Sequence, residues 1–257
     1  MSPAADDLAL ALELADLADA ITMRRHGAAD LAVETKPDAT PVTESDRAVE
    51  QALRERLAQA RPSDQVVGEE YGGSDPVGAG RCWVIDPIDG TMSYMRAMPT
   101  WSTLIALVVD GRVEVGVVSM PALARRWWAS RGAGAFADGR RIHVSSIAEL
   151  SQAQVAWSGI QEWDAIGRAD AMLALCRSSW RSRGIGDAWQ YMLVAEGAAE
   201  VALDPKVSAW DMGPMQVIIE EAGGRFTDLG GAATIDGGDG IATNGLVHDA
   251  ALAIVGR

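Results

Sequence analysis

Cys82-Trp83-Val84-Ile85-Asp86-Pro87-Ile88-Asp89-Gly90-Thr91 decides how this chain is read. Its first four residues form an apolar run of the kind expected in a strand buried on both faces. Two carboxylates, Asp86 and Asp89, follow where that strand is expected to end in a tight turn. A short way upstream lies Gly68-Glu69-Glu70, and far downstream Asp211 opens the apolar, helix-like stretch from Trp210 to Gly224. Carboxylates gathered at the end of a buried strand repel one another, so keeping them ionised calls for a hard cation such as Mg²⁺.

The donor types suit that ion, which takes oxygen ligands octahedrally and is commonly held by one or two carboxylates plus substrate phosphate. With Asp86 bridging, Asp89 and Asp211 complete one coordination sphere and Glu69 the other, while the Ile88 carbonyl faces the same site. Two ions roughly 3.5–4 Å apart clamp a phosphoryl group. Gly90 and Thr91 add a slim backbone and, at the start of a short helix, N–H groups that favour phosphate. The Thr91 hydroxyl is placed to orient a water and Asp46 to accept its proton. Taken singly, Asp46 is also the expected cap of a helix, because Thr43-x-x-Asp46 precedes Val49, Leu53 and Leu57.

The chain has 257 residues, 48% of them apolar and 23% charged, enough for a large core shared by two sub-domains. A net charge of −14 argues against nucleic acid as a partner. No apolar run approaches membrane-spanning length, and the acidic, alanine-rich start from Ala4 to Asp19 does not read as a secretory signal, so a cytoplasmic protein is expected. Cys82 and Cys176 stand far apart and read as packed thiols.

Residues 1–144 read as an N-terminal α+β sub-domain carrying most of the metal ligands. Helical spacing covers Ala4 to Arg25 and the segment after Thr43, and strands are expected at Gln65–Val67, Cys82–Ile85, Thr103–Val109, Val113–Met120, Arg126–Ser130 and Gly134–Ala137. Asp110-Gly111 and Asp138-Gly139 are hairpin signals. Residues 145–257 read as a C-terminal α/β sub-domain with alternating strands and helices, carrying Asp211 and the specificity region. Met92, Met95 and Met98 are expected to pack a helix face or a lid. Most of the nine tryptophans are expected in the core or a dimer interface.

Three of these segments, Gly68-Glu69-Glu70, Trp83 to Thr91, and Trp210-Asp211 with Glu221-Ala222-Gly223-Gly224, resemble the signatures of the inositol monophosphatase superfamily of Mg²⁺-dependent phosphatases in order and spacing. The resemblance implies an α/β (α+β), layered αβαβα sugar-phosphatase fold. It implies Glu69, Asp86, the Ile88 carbonyl, Asp89 and Asp211 as ligands for two or three Mg²⁺, with Mn²⁺ as an alternative ion. Thr91 and Asp46 are implied as the water-activating pair, Glu69 joins the catalytic set through the ion it holds, and Gly90 and Thr91 lie at the phosphate. A homodimer is implied as well.

Within the superfamily the chain looks most similar to the actinobacterial histidinol-phosphate phosphatases of histidine biosynthesis. That similarity rests on Thr35-Lys36-Pro37-Asp38, Thr40-Pro41-Val42-Thr43, Arg125-Arg126-Trp127-Trp128-Ala129, Gly186-Asp187 and Ala242-Thr243-Asn244-Gly245. Met92-Ser93-Tyr94 departs from the family's usual Lys or Thr, Asn and aromatic. The small phosphorylated substrate so implied carries an ammonium and an imidazole, which suit an acceptor-rich pocket. Asp187, Asp204 and Asn244 are the expected substrate contacts. The alternatives are inositol 1-phosphate or another small sugar or nucleotide phosphate. A catalytically idle metal-binding protein would be expected to have lost a ligand, and none is lost here.

Overall fold

A computed structural model describes residues 3–37, 39–73 and 78–256; Asp38 of the segment quoted above falls outside them. The helices among the described residues are α1 (Pro3–Arg25), α2 (Glu44–Ala60), α3 (Thr91–Met95), α4 (Ile160–Ala165), α5 (Ala169–Ser178), α6 (Asp187–Ala195), α7 (Ala209–Glu221) and α8 (His248–Val255). Strands β1 (Val33–Thr35) and β2 (Pro41–Thr43) form a small hairpin. A seven-stranded sheet follows in chain order: β3 (Gln65–Gly68), β4 (Arg81–Asp89), β5 (Ser102–Val109), β6 (Arg112–Met120), β7 (Arg125–Ser130), β8 (Gly134–Ala137) and β9 (Arg140–Arg141). Only its β3–β4 pair is parallel.

The second sheet contains β10 (Gln154–Trp157), β11 (Arg181–Gly184), β12 (Val201–Asp204), β13 (Arg225–Thr227) and β14 (Gly240–Thr243), in the order β11-β10-β12-β14-β13. Its β10 pairs are parallel and its β14 pairs antiparallel.

Alternation along the central strands generates the layers. Trp83 and Ile85 of β4 join Leu14, Val49, Leu53 and Leu57 of α1 and α2 in one core, while Cys82 and Val84 face the opposite core, shared with α6 and α7. Ala202, Phe226 and Ala242 of the second sheet enter that same central core. Its far face packs Val155, Val201 and Leu203 against Met172 and Leu175 of α5 and Ala251 and Val255 of α8. The order is therefore helices, sheet, α6 and α7, sheet, helices: the αβαβα arrangement expected from the sequence.

Helix α2 starts with a capping box in which the Thr43 hydroxyl receives backbone N–H groups and Asp46 bonds back to the Thr43 N–H, as its sequence predicts. Helix α7 lies close against the first sheet because two glycines permit it. A Cβ on Gly116 of β6 would come within 2.6 Å of Val217 Cγ1 and 2.8 Å of Pro214 Cα, and one on Gly213 within 2.9 Å of Ala106 Cβ.

Two local expectations are corrected. The Asp86-to-Asp89 segment is the end of β4, not a turn beyond it. Met92, Met95 and Met98 are 70%, 39% and 47% exposed and form no buried helix face, since α3 turns Tyr94 inward instead. Most tryptophans do lie in the cores: Trp83, Trp101, Trp127 and Trp163 are fully buried and Trp128, Trp157, Trp189 and Trp210 pack against them, while Trp180 is 67% exposed.

Candidate active site

Side chains three positions apart on a regular strand face opposite sides of the sheet. Strand β4 escapes this by a bulge: Asp86 lies opposite Leu104 and Asp89 opposite Ser102, so three steps on β4 match two on β5. The extra residue brings both carboxylates to one side. Pro87, with no N–H to place in the ladder, suits the irregularity. The bulge is fixed by Ile88 N–H donating to Asp86 Oδ1 at 3.0 Å and Thr103 Oγ1 donating to the Pro87 carbonyl at 2.9 Å.

Asp211 arrives from the other half of the chain. It occupies the third position of α7, where Ser208 N–H donates to its Oδ2 at 2.8 Å and completes a capping box. One carboxylate oxygen from each of Asp86, Asp89 and Asp211 lies within 4.8 Å of the others. Burial first, then repulsion from Glu69, Asp89 and Asp211, raises the Asp86 carboxyl well above the usual range. Burial also pushes Asp211 to about 8, reinforced by Asp89. Asp89 reaches about 6, since bonds from Ala188 N–H and Ser102 Oγ oppose its burial. A converging, all-oxygen donor set that resists holding its own charge fits a hard divalent cation.

Glu69 stands beside this trio, its N–H bonded to the Ile85 carbonyl at 3.2 Å. Its Oε1 accepts from Lys36 Nζ at 2.8 Å, and Lys36 also reaches Glu70 Oε1 at 2.6 Å. Burial works against the Lys36 charge, yet the two carboxylates hold its pKa above the ordinary value. The loop is pinned from behind by Glu50 of α2, which receives the N–H groups of Glu70 at 2.7 Å and Tyr71 at 3.2 Å. A Cβ at Gly68 would overlap the Glu50 carboxylate, so glycine is required there. Glu50 was not picked out from the sequence, although it lies one helical turn after Asp46 on the same face.

The Thr91 hydroxyl is 3.0 Å from the Ile88 carbonyl and 3.3 Å from Asp46 Oδ1. Asp46 Oδ2 is occupied by Thr43 N–H at 2.8 Å and Thr43 Oγ1 at 2.5 Å. Asp46 thus caps α2 with one oxygen and faces Thr91 with the other. Its burial raises its pKa against the bonds from Thr43. Gly90, at φ 81°, starts α3, and a Cβ there would meet Asp187 Oδ2 at 2.9 Å.

Gly90, Thr91 and the carboxylates of Glu69, Asp86, Asp89 and Asp211 open on a cavity of about 350 Å³, with Asp46 behind Thr91. Asp187 and Asp204 line it as expected, and so do Ser158, Glu162 and Lys206, which sequence reading did not select. Asp187 sits at φ 51° directly after Gly186, a left-handed geometry that Asp tolerates. Burial, then Asp89 and Asp204, pushes its carboxyl to about 8. Asp204 is buried too and rises to about 6, with its Oδ2 accepting from Gln190 Nε2 at 2.6 Å and Tyr191 Oη at 2.7 Å.

Asn244 is the correction. It is not among the cavity-lining residues. Its Nδ2 donates to Ser145 Oγ at 3.1 Å and the Ile147 carbonyl at 2.7 Å, and its Oδ1 receives the N–H groups of Leu246 and Val247. All its hydrogen-bonding capacity goes into fixing the turn after β14, leaving none for a ligand.

Residues 5–256 match the family model described as the inositol monophosphatase family. The chain is 52% identical over 252 residues to a histidinol-phosphatase of Mycobacterium tuberculosis, covering 96% of each protein. It is 49% identical to a histidinol-phosphatase of Streptomyces coelicolor, over 95% of this chain and 94% of that one. Among solved structures, an inositol monophosphatase from Zymomonas mobilis superimposes with a TM-score of 0.86 at 31% identity, covering 99% of both chains.

Proposed function

The chain belongs to the inositol monophosphatase family and is a phosphoric monoester hydrolase, and on that premise we propose that it cleaves L-histidinol phosphate to L-histidinol and phosphate in histidine biosynthesis. The observation that carries the substrate assignment is about half identity, over nearly the whole chain, to two histidinol-phosphatases. The carboxylates of the cavity away from the metal-ligand trio agree with a substrate bearing cationic groups.

In this reading Asp86, Asp89, Asp211, Glu69 and the Ile88 carbonyl hold two or three Mg²⁺, with Mn²⁺ as an alternative. When bound, such ions neutralise charge on the phosphoryl oxygens and the attacking and leaving groups. The N–H groups of Gly90 and Thr91 seat the phosphate. Thr91 Oγ1 orients the attacking water, and Asp46, its basicity raised by burial, takes the proton through Oδ1. Asp187 and Asp204 face the cationic end of the substrate. A cytoplasmic homodimer completes the proposal, supported by the sequence resemblance.

Phosphate release from L-histidinol phosphate and inositol 1-phosphate, each with Mg²⁺ and with EDTA, tests it. The expected result is Mg²⁺-dependent release with kcat/KM at least tenfold higher for histidinol phosphate. Preference for inositol 1-phosphate would keep the hydrolase and overturn the substrate.

A further inference from the structure

Glu162 lies on α4 and Ser158 just before it, and Ser158 Oγ donates to Glu162 Oε2 at 3.1 Å. The same hydroxyl also hydrogen-bonds Asp204. A serine hydroxyl carries one proton, so it can satisfy only one of the two carboxylates at a time. Asp204 has its own donors in Gln190 and Tyr191. Glu162 has none besides Ser158 among the hydrogen bonds of the described residues, and it is the exposed member of the group. Its charge is one of the causes that push both Asp187 and Asp204 upward, so it acts into the cavity and not away from it.

Charge balance favours a cation at this point. The lining contains three carboxylates outside the proposed metal ligands, Asp187, Asp204 and Glu162, against Lys206 as its one basic side chain among the described residues. Three acceptors from Glu162, Ser158 and Asp204 converging at one end suit an ammonium, whose three N–H donors spread from a single nitrogen, better than an imidazole, whose two ring nitrogens lie on opposite sides of a ring.

We propose that Glu162, assisted by Ser158, is the specificity-determining residue that binds the substrate's ammonium group, so that α4 selects phosphate esters of amino alcohols over neutral polyol phosphates. This rests on the substrate reading above. Among the described residues Glu162 makes no hydrogen bond to a residue assigned to the metals or to the attacking water, so its effect is expected on substrate affinity and not on the chemical step.

The test compares wild type with Glu162→Gln and Ser158→Ala on three esters: L-histidinol phosphate, its des-amino analogue imidazolylpropyl phosphate, and p-nitrophenyl phosphate, all with saturating Mg²⁺. Glu162→Gln is expected to raise KM for histidinol phosphate about tenfold with little change in kcat, the signature of lost binding uniform to ground and transition states. KM for the other two esters should stay within about twofold of wild type. Ser158→Ala is expected to shift KM in the same direction and by less. If wild type prefers histidinol phosphate but Glu162→Gln leaves its KM unchanged, or raises KM equally for the des-amino ester, the assignment of Glu162 is overturned and the substrate reading stands. If wild type shows no preference for the cationic ester, both fall together.

Discussion

Thr91 Oγ1 and Asp46 Oδ1 lie 3.3 Å apart although the two residues belong to different layers of the active-site wall. Asp46 stands third in α2 and Thr91 first in α3, so a hydroxyl and a carboxylate meet where two helix N-termini converge. Asp46→Asn keeps an oxygen to cap α2 but cannot take a proton. We expect kcat to fall by about 10²–10⁴ with Tm nearly unchanged. Asp46→Ala should also cost about 0.5–2 kcal/mol of stability through the lost cap, read from urea unfolding. Near-normal turnover in Asp46→Asn would remove it from the mechanism.

Asp211 links metal loading to pH. Its folded pKa of about 8 lies above its ordinary value of 3.8, so the folded protein holds this proton more tightly than the unfolded chain. Its contribution to stability is then full below about pH 4 and is lost as pH rises through about 8. In EDTA, Asp211→Asn should therefore match wild type in Tm near pH 4 and exceed it increasingly toward pH 8. Mg²⁺ should reverse the order at high pH, since only wild type keeps the ligand charge. A Tm difference that does not change with pH would contradict this.

Gly116 sets how closely α7 approaches the first sheet. Gly116→Ala forces a methyl against Val217 and the Pro214 backbone. Overpacking of this kind should cost about 1–3 kcal/mol. Because the displaced helix carries Asp211, the Mg²⁺ concentration for half-maximal activity should rise as well. A variant that loses stability but titrates like wild type would uncouple the helix position from the ion.

Glu50 holds the Glu69 loop without reaching the cavity. Glu50→Ala leaves the N–H groups of Glu70 and Tyr71 and part of the Arg54 guanidinium without their buried acceptor. About 1–3 kcal/mol of stability should be lost. The Mg²⁺ requirement should increase in the same variant, and a circular dichroism melt beside an activity titration separates the two effects.

The strands were legible as apolar runs buried on both faces and α2 as a helix opened by Thr43 with Asp46, while the layering of those elements was implied only by the family resemblance. The carboxylates that meet at the metal position were legible as residue types. Their shared direction was not, since a bulge depends on the pairing partner and Asp89 opposite Ser102 cannot be read from β4 alone. Asn244 misled because its partners, Ser145 and Ile147, belong to a distant segment that nothing in the local sequence announces. The β1–β2 hairpin was missed because its first strand is fully exposed and has no buried face to betray it, yet it delivers Lys36 to Glu69.

Helix α7 presents Met215, Val217, Ile218 and Ile219 to a core that both sheets share. A helix wedged this way cannot act as a hinge, because any rotation of one sheet against the other would tear apolar surface from it on one side or the other. The division we propose between residues 1–144 and 145–257 is thus one of chain topology and not of motion. The cavity therefore opens between elements held in fixed register, with Asp211 and the β4 carboxylates already brought together.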